Sequence, residues 1–313
     1  MNPSRHKVGG VLDPHLSSSN PAGRTDDYAR ACFEKLNQIV KIARERQWDA
    51  IVLAGDLWNT STIARWFETA FIRLVKDSGI PWYSILGNHD LKQRRVSGAD
   101  ETIMGSMFAS GVLLDLTENE IEFPGGVMRG MHFFTNPGVR IPPAEGNGDW
   151  LVCHQFISTS SDEEETLSEK EIFEAGYRNV LAGHEHSDEG VQVLSGVRVV
   201  RCGSLLRHEN AAHNRRQPKV VEIDLVSGEV ELIEINAQTP EEVFSVKRAE
   251  IPDGDVFDMN RLREFALSME GRGFSEEHED ESLVAKLVRD RGLIVGSEVH
   301  MCITQYMDNH GLQ

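Results

Sequence analysis

The sequence predicts a layered α/β fold, because short apolar runs alternate with amphipathic helical patterns through its first two thirds, and several of those runs stop at a glycine. The first run, Val8–Leu12, ends at Asp13. Residues 26–47 then place Tyr28, Cys32, Phe33, Leu36, Ile39, Val40 and Ala43 at helical spacing. Asp49–Ala54 is a second strand, stopped by Gly55. Residues 61–78 repeat the helical pattern through Ile63, Trp66, Phe67, Phe71, Leu74 and Val75, with Thr60 or Ser61 as N-cap and Gly79 as the stop. Trp82–Leu86 is a third strand, stopped by Gly87.

The middle of the chain has a different texture. Val112–Leu116, Glu120–Phe123 and Val127–Phe134 are short runs separated by Gly and Pro, as in mixed or antiparallel strands. Residues 136–149 are a Pro- and Gly-rich loop, Leu151–Cys153 is a strand ending at His154, and Ser158–Glu165 is a polar, acidic loop. Asn179–Ala182 is a strand ending at Gly183, and residues 191–202 and 219–235 are hairpin strands with one turn at Ser227-Gly228. Two short helices at Phe257–Met269 and Ser282–Val288 and a last strand at Val295–Thr304 are expected near the end. The expected division is a domain of residues 1–240 and a small C-terminal extension of residues 241–313, for capping or partner docking.

Charge narrows the function. With 50 acidic and 32 basic residues, the net charge is −18. Phosphates are repelled by most of such a surface, so a general nucleic-acid coat is excluded. A phosphate ligand needs something local and strongly positive, which bound divalent cations supply. Four cysteines with no CxxC pair point to free thiols in a reducing compartment rather than a disulfide scaffold. No stretch has the composition of a signal peptide or the length of a membrane span, so a cytoplasmic protein without a membrane partner is expected.

Five segments place Asp, Asn or His at the end of an apolar strand: Asp13-Pro-His15, Gly55-Asp56, Gly87-Asn88-His89-Asp90, His154 and Gly183-His184-Glu185-His186. In an α/β sheet the crevice beyond the carboxyl ends of the strands is where sites are built. A lone Asp-x-His or strand-Gly-Asp is common by chance; five such segments in this order are not. Imidazole with carboxylate and amide oxygen suits Mn, Fe, Zn or Ni, whereas an all-oxygen shell favours Mg or Ca. Two such ions share a bridging carboxylate and a hydroxide that attacks phosphorus.

The ordered set resembles the calcineurin-like metallophosphoesterase superfamily, D-x-H, G-D, G-N-H-[D/E], H and G-H-x-H, over roughly residues 6–235. The resemblance implies a four-layer αββα sandwich. It also implies two divalent metals, Mn foremost, one held by Asp13, His15, Asp56 and His186 and the other by Asp56, Asn88, His154 and His184. His89 would face the substrate and protonate the leaving oxygen, with Asp90 orienting it. Asp13-Pro-His-Leu, Gly23-Arg-Thr-Asp-Asp-Tyr28, Gly55-Asp-Leu-Trp58 and Gly203-Ser-Leu-Leu-Arg207 are similar to SbcD-type DNA repair exonucleases and their phage relatives. That likeness implies DNA as substrate and an SMC-like ATPase partner, with a homodimer left open. Here Cys202 stands where that family usually has Pro before G-S-L. Lys92, Arg94 and Arg95 follow the His89 loop and are the candidate phosphate contacts, with Arg207, Arg215, Arg216 and Lys219 as a second basic group. A phosphodiesterase or phosphatase for small nucleotides is the alternative. A metal-free binding scaffold is disfavoured because no ligand position is missing.

Overall fold

The computed structural model describes residues 6–135, 141–158, 165–208 and 215–244. The helices expected at 257–269 and 282–288, the strand at 295–304 and almost all of the C-terminal extension lie outside these residues. The chain opens with β1 (Lys7–Val11), α1 (Tyr28–Arg46), β2 (Ala50–Leu53), α2 (Arg65–Ser78) and β3 (Trp82–Ser84). Two 3₁₀ turns over Lys92–Arg94 and Val96–Glu101 lead into α3 (Ile103–Ala109), a helix the apolar pattern did not predict. Then follow β4 (Leu114–Asp115), β5 (Ile121–Phe123), β6 (Gly126–Met131), β7 (Trp150–His154), β8 (Phe156–Ser158) and β9 (Thr166–Ser168). The remainder is α4 (Glu169–Glu174), β10 (Asn179–Gly183), β11 (Gly190–Leu194), β12 (Val197–Arg201), β13 (Lys219–Asp224), β14 (Val230–Glu234) and α5 (Pro240–Val243).

Two six-stranded sheets result, in the orders β14-β13-β1-β2-β3-β4 and β11-β12-β10-β7-β6-β5, with β8 and β9 as a separate pair. The strands that carry site residues run parallel: β1 with β2, β2 with β3, and β7 with β10. Period-two alternation assigns the layers. In β2, Ile51 and Leu53 pack with Cys32, Leu36 and Ile39 of α1 and Phe67 and Phe71 of α2, while Ala50 and Val52 face the other sheet. In β7, Trp150 and Val152 join that inter-sheet core, while Leu151 and Cys153 turn outward to Ile172 and Tyr177. Strands with both faces apolar read as continuous hydrophobic runs because helices or loops cover each side. The arrangement is a mixed α/β sandwich of two sheets with helical segments outside.

Local signals place most boundaries. Asp27 caps α1, its side chain accepting from the Arg30 amide. Gly79 ends α2 in the left-handed conformation at φ 68°. The start of α2 differs from the expected Thr60 or Ser61: the helix begins at Arg65 after Ala64, which has no capping side chain. Cys32, Cys153 and Cys202 are buried free thiols, and burial pushes each up to about 12. Among the described residues, no helix is long and apolar enough to cross a membrane.

Candidate metal centre

The five predicted segments converge at the carboxyl edges of both sheets. Asp13 and His15 follow β1, Asp56 follows β2 and Asn88 and His89 follow β3, all in the first sheet. His154 ends β7, and His184 and His186 follow β10 in the second sheet. The sheets meet so closely here that a side chain on Gly55, itself at φ 86°, would reach within 2.4 Å of His154 Nδ1. Non-glycine residues in the left-handed region concentrate at the same place: Asp13 (φ 44°), His15 (φ 45°), Asp56 (φ 49°) and His184 (φ 82°). Such conformations cost on the order of 1–3 kcal/mol each and persist where the surroundings over-determine them. The bends are tied by bonds from the His15 amide to the Asp56 carbonyl at 2.9 Å and from the Leu16 amide to the Leu57 carbonyl at 2.8 Å.

Asp56 is the centre of the cluster. Its Oδ2 lies 3.3 Å from His154 Nε2 and 3.6 Å from His15 Nε2, and its Oδ1 accepts from the His89 amide at 2.8 Å. His154 Nδ1–H donates to the Ala54 carbonyl at 2.8 Å, which aims Nε2 at Asn88 Oδ1, 3.1 Å away, and at Asp56. Asp13 accepts from the His184 amide through both oxygens, at 2.9 and 3.2 Å, and stands 3.8 Å from His186 Nε2. His15 Nε2 and His186 Nε2 face each other at 3.0 Å. Asp13, Asp56 and His154 bring ligand atoms within 4.8 Å of one another, as do His15, Asp56 and His89.

These residues fit divalent cations. His15 is fully buried, yet its Nδ1 has no hydrogen-bond partner. Burial pushes Asp13 up to about 7 and Asp90 up to about 7, the Asp56 charge adding to both. Burial also drives His15 well below its ordinary value. For Asp56 the desolvation is overcome by His154, His15 and His89, which hold it low, and the Asp56 charge in turn lifts His154 to about 9 against its own burial. Two buried carboxylates among imidazoles are a donor set whose negative charge divalent cations would neutralise.

The other predicted residues divide. His89 is exposed at the mouth, its ring edge-on to His15 with centroids 4.8 Å apart, and Nδ1–H donates to the Asn59 carbonyl at 2.9 Å. Asp90 does not orient it. Asp90 is fully buried and accepts from the Gly87 amide at 2.9 Å and the Trp58 amide at 3.0 Å, so it ties the β2 and β3 loops together. His184 lies beside His154, with ring centroids 5.0 Å apart, but its Nε2 is 3.2 Å from Glu165 Oε2, and Phe133 and Phe156 also contact the ring, with centroids 5.6 and 4.2 Å away.

Glu165 also takes Arg94, at 2.5 Å. The His184 imidazole and, against burial, the Arg94 guanidinium hold its carboxyl below the ordinary range. Glu165, at the end of the acidic loop, is thus engaged by the site rather than by solvent alone, and residues 159–164 lie outside the described ones. Lys92 pairs with Glu101 at 3.0 Å, and Arg95 is exposed. The second basic group supports the scaffold. Arg207 donates to the carbonyls of Arg216 and Gln238, and Arg216 to those of His186 and Ser204. Lys219 pairs with Asp188 and Arg215 with Glu241. One residue escaped the sequence reading altogether: His208, half-buried beside His15 and His186, directly after Gly203-Ser-Leu-Leu-Arg207.

A curated Psychrobacter arcticus protein named "Probable cyclic nucleotide phosphodiesterase" is 34% identical over 85 residues, 26% of this chain and 30% of that one. The match thus spans under a third of that relative's length. A solved structure of a Thermus thermophilus protein aligns over 74% of this chain and 100% of that one at 13% identity, with a TM-score of 0.48. A dimetal phosphatase from Danio rerio aligns over 75% of this chain and 100% of that one at 12% identity, with a TM-score of 0.46. The sequence model of the calcineurin-like phosphoesterases matches residues 9–213, so the chain belongs to that family of phosphoester hydrolases.

Proposed function

We propose that the chain is a two-metal phosphodiesterase that hydrolyses DNA phosphodiester bonds. The observation that carries the hydrolytic reading is Asp56. It is a buried carboxylate within 3.6 Å of imidazoles from two other loops, with the exposed His89 at the mouth of the same cluster. Asp13, His15, Asp56 and His186 would hold one ion, and Asp56, Asn88 and His154 the other, with His184 joining by a rotation away from Glu165. Bound ions neutralise phosphoryl charge and activate a water nucleophile. The chain's own residues do the rest. His89, its Nδ1–H tied to the Asn59 carbonyl, keeps Nε2 for proton transfer to the leaving oxygen. Asp90 fixes the distance between the Asp56 and Asn88 loops.

DNA is favoured by the SbcD-like segments around Asp13, Gly23 and Gly203, and an SMC-like ATPase partner belongs to the same reading. Phe156, 37% exposed beside His184, offers a face on which a base can stack. Small nucleotides are the second reading, on a specific observation: Lys92 and Arg94 already carry carboxylate partners, which leaves few uncommitted cations to follow a backbone. The test offers end-labelled single- and double-stranded DNA beside 2′,3′- and 3′,5′-cyclic nucleotides, with Mn²⁺, Mg²⁺ or EDTA. DNA cleavage that needs Mn²⁺ supports the proposal. Cyclic nucleotide turnover with intact DNA replaces it with the second reading.

A further inference from the structure

Basic side chains hold the segment Ser204–His208. The Leu205 amide donates to the Leu12 and Asp13 carbonyls at 3.0 and 3.3 Å, so the segment lies directly against the first metal loop. Its outward carbonyls are taken by side chains: Leu205 by Lys35 at 3.1 Å, Arg207 by Arg24 at 2.6 Å and Ser204 by Arg216 at 3.1 Å. Arg24, Lys35 and Arg207 are each under 10% exposed. Three buried cations are costly to desolvate, and what they fix here is the position of His208. Its ring stacks on His15 at 4.4 Å and meets His186 edge-on at 5.1 Å. The three side chains bring ligand atoms within 4.8 Å of one another.

We propose that His208 is a further ligand at the first metal position, completing a trio of imidazoles with His15 and His186. The proposal rests on the two-metal reading above and adds a donor to it. Ligand atoms that already lie within 4.8 Å of one another are close to the span one ion would take, so a rotation of the half-buried His208 ring would close the trio. Three imidazoles shift the position toward Zn²⁺, Fe²⁺, Co²⁺ or Ni²⁺ and away from Mg²⁺.

The test titrates Co²⁺ into the metal-free full-length chain and follows affinity by calorimetry and ligand-field absorption by spectroscopy. Wild type, His208→Ala, His208→Gln and His186→Ala are compared, with His208→Gln covering the case that the alanine variant fails to fold. The proposal expects wild type to bind two equivalents. Both His208 variants should weaken one of them about 10-fold or more and change its absorption band, and His186→Ala should lose that same equivalent. If the His208 variants bind and absorb as wild type does while His186→Ala loses an equivalent, the ligand role is overturned and the metal centre stands. If His186→Ala also keeps both equivalents at wild-type affinity, the trio falls with the assignment of His186 to that position, and a wild type that binds fewer than two equivalents sinks the two-metal reading itself.

Discussion

His89 and Asp56 are both polar, both at strand ends and 33 positions apart, yet their surroundings give them opposite work. His89 is exposed and held through Nδ1 by a carbonyl, whereas Asp56 is buried among imidazoles that hold it ionised. His89→Ala should therefore leave metal content near wild type while turnover falls about 100-fold or more, the scale of a lost general acid. Metal analysis beside steady-state kinetics decides it, and full activity would remove His89 from the mechanism. Asp56→Ala should lose metal and activity together, because one carboxylate serves both positions; two metals per chain in that variant would refute the bridge. The nature of these residues was legible in the sequence because each follows an apolar strand. The role of Asp90 was not. Adjacency to His89 says nothing about which amides a buried carboxylate meets, and here they belong to Gly87 and to Trp58 in another loop. Glu165 was hidden for a similar reason: its partners, His184 and Arg94, are remote in sequence.

At the scale of elements, the site exists because five loops are forced into one small volume, and glycine sets the closest approach. At Gly87 an added methyl group would lie 2.1 Å from Asp56 Oδ1 and 2.3 Å from the Asp56 amide nitrogen. Gly87→Ala must push the β2 and β3 loops apart. Isothermal titration should show metal affinity falling about 10-fold or more, while far-UV circular dichroism stays close to wild type because the strands are untouched. Unchanged affinity would mean that the loops have slack the packing does not show. The strands themselves were readable as apolar runs with Gly stops, and so was the hairpin turn at Ser227-Gly228, where Gly228 takes φ 73°. Elements built on weaker signals were not. The α2 start slipped to Arg65 because its cap, Ala64, bears no polar side chain. The helix α3 follows a polar stretch, and only its packing of Met104 and Met107 into the core that also holds Phe67 and Phe71 of α2 reveals its purpose.

For the whole molecule, the acidic net charge of −18 coexists with a buried basic cluster of Arg24, Lys35 and Arg207. Lys35 is 4% exposed on α1, near Arg24 and Arg207, and burial together with those two guanidinium groups brings its ammonium down from 10.5 to about 7. Below pH 7 the folded and unfolded chains both hold the proton, and the folded state carries the full cost of desolvating it. Between about 7 and 10.5 the unfolded chain binds more protons than the folded one, so this residue makes stability rise with pH across that window. Urea unfolding of metal-free wild type and Lys35→Met, followed from pH 6.5 to 9.5, isolates the contribution. Wild type should gain on the variant as pH rises, by an amount on the order of a few kcal/mol. Parallel profiles would show that Lys35 titrates in the ordinary lysine range. In that case the clamp on Leu205 would be an ordinary charged hydrogen bond. The gain with pH instead would mean that the fold accepts a buried, proton-shedding lysine in order to press the Ser204–His208 segment against the metal loop.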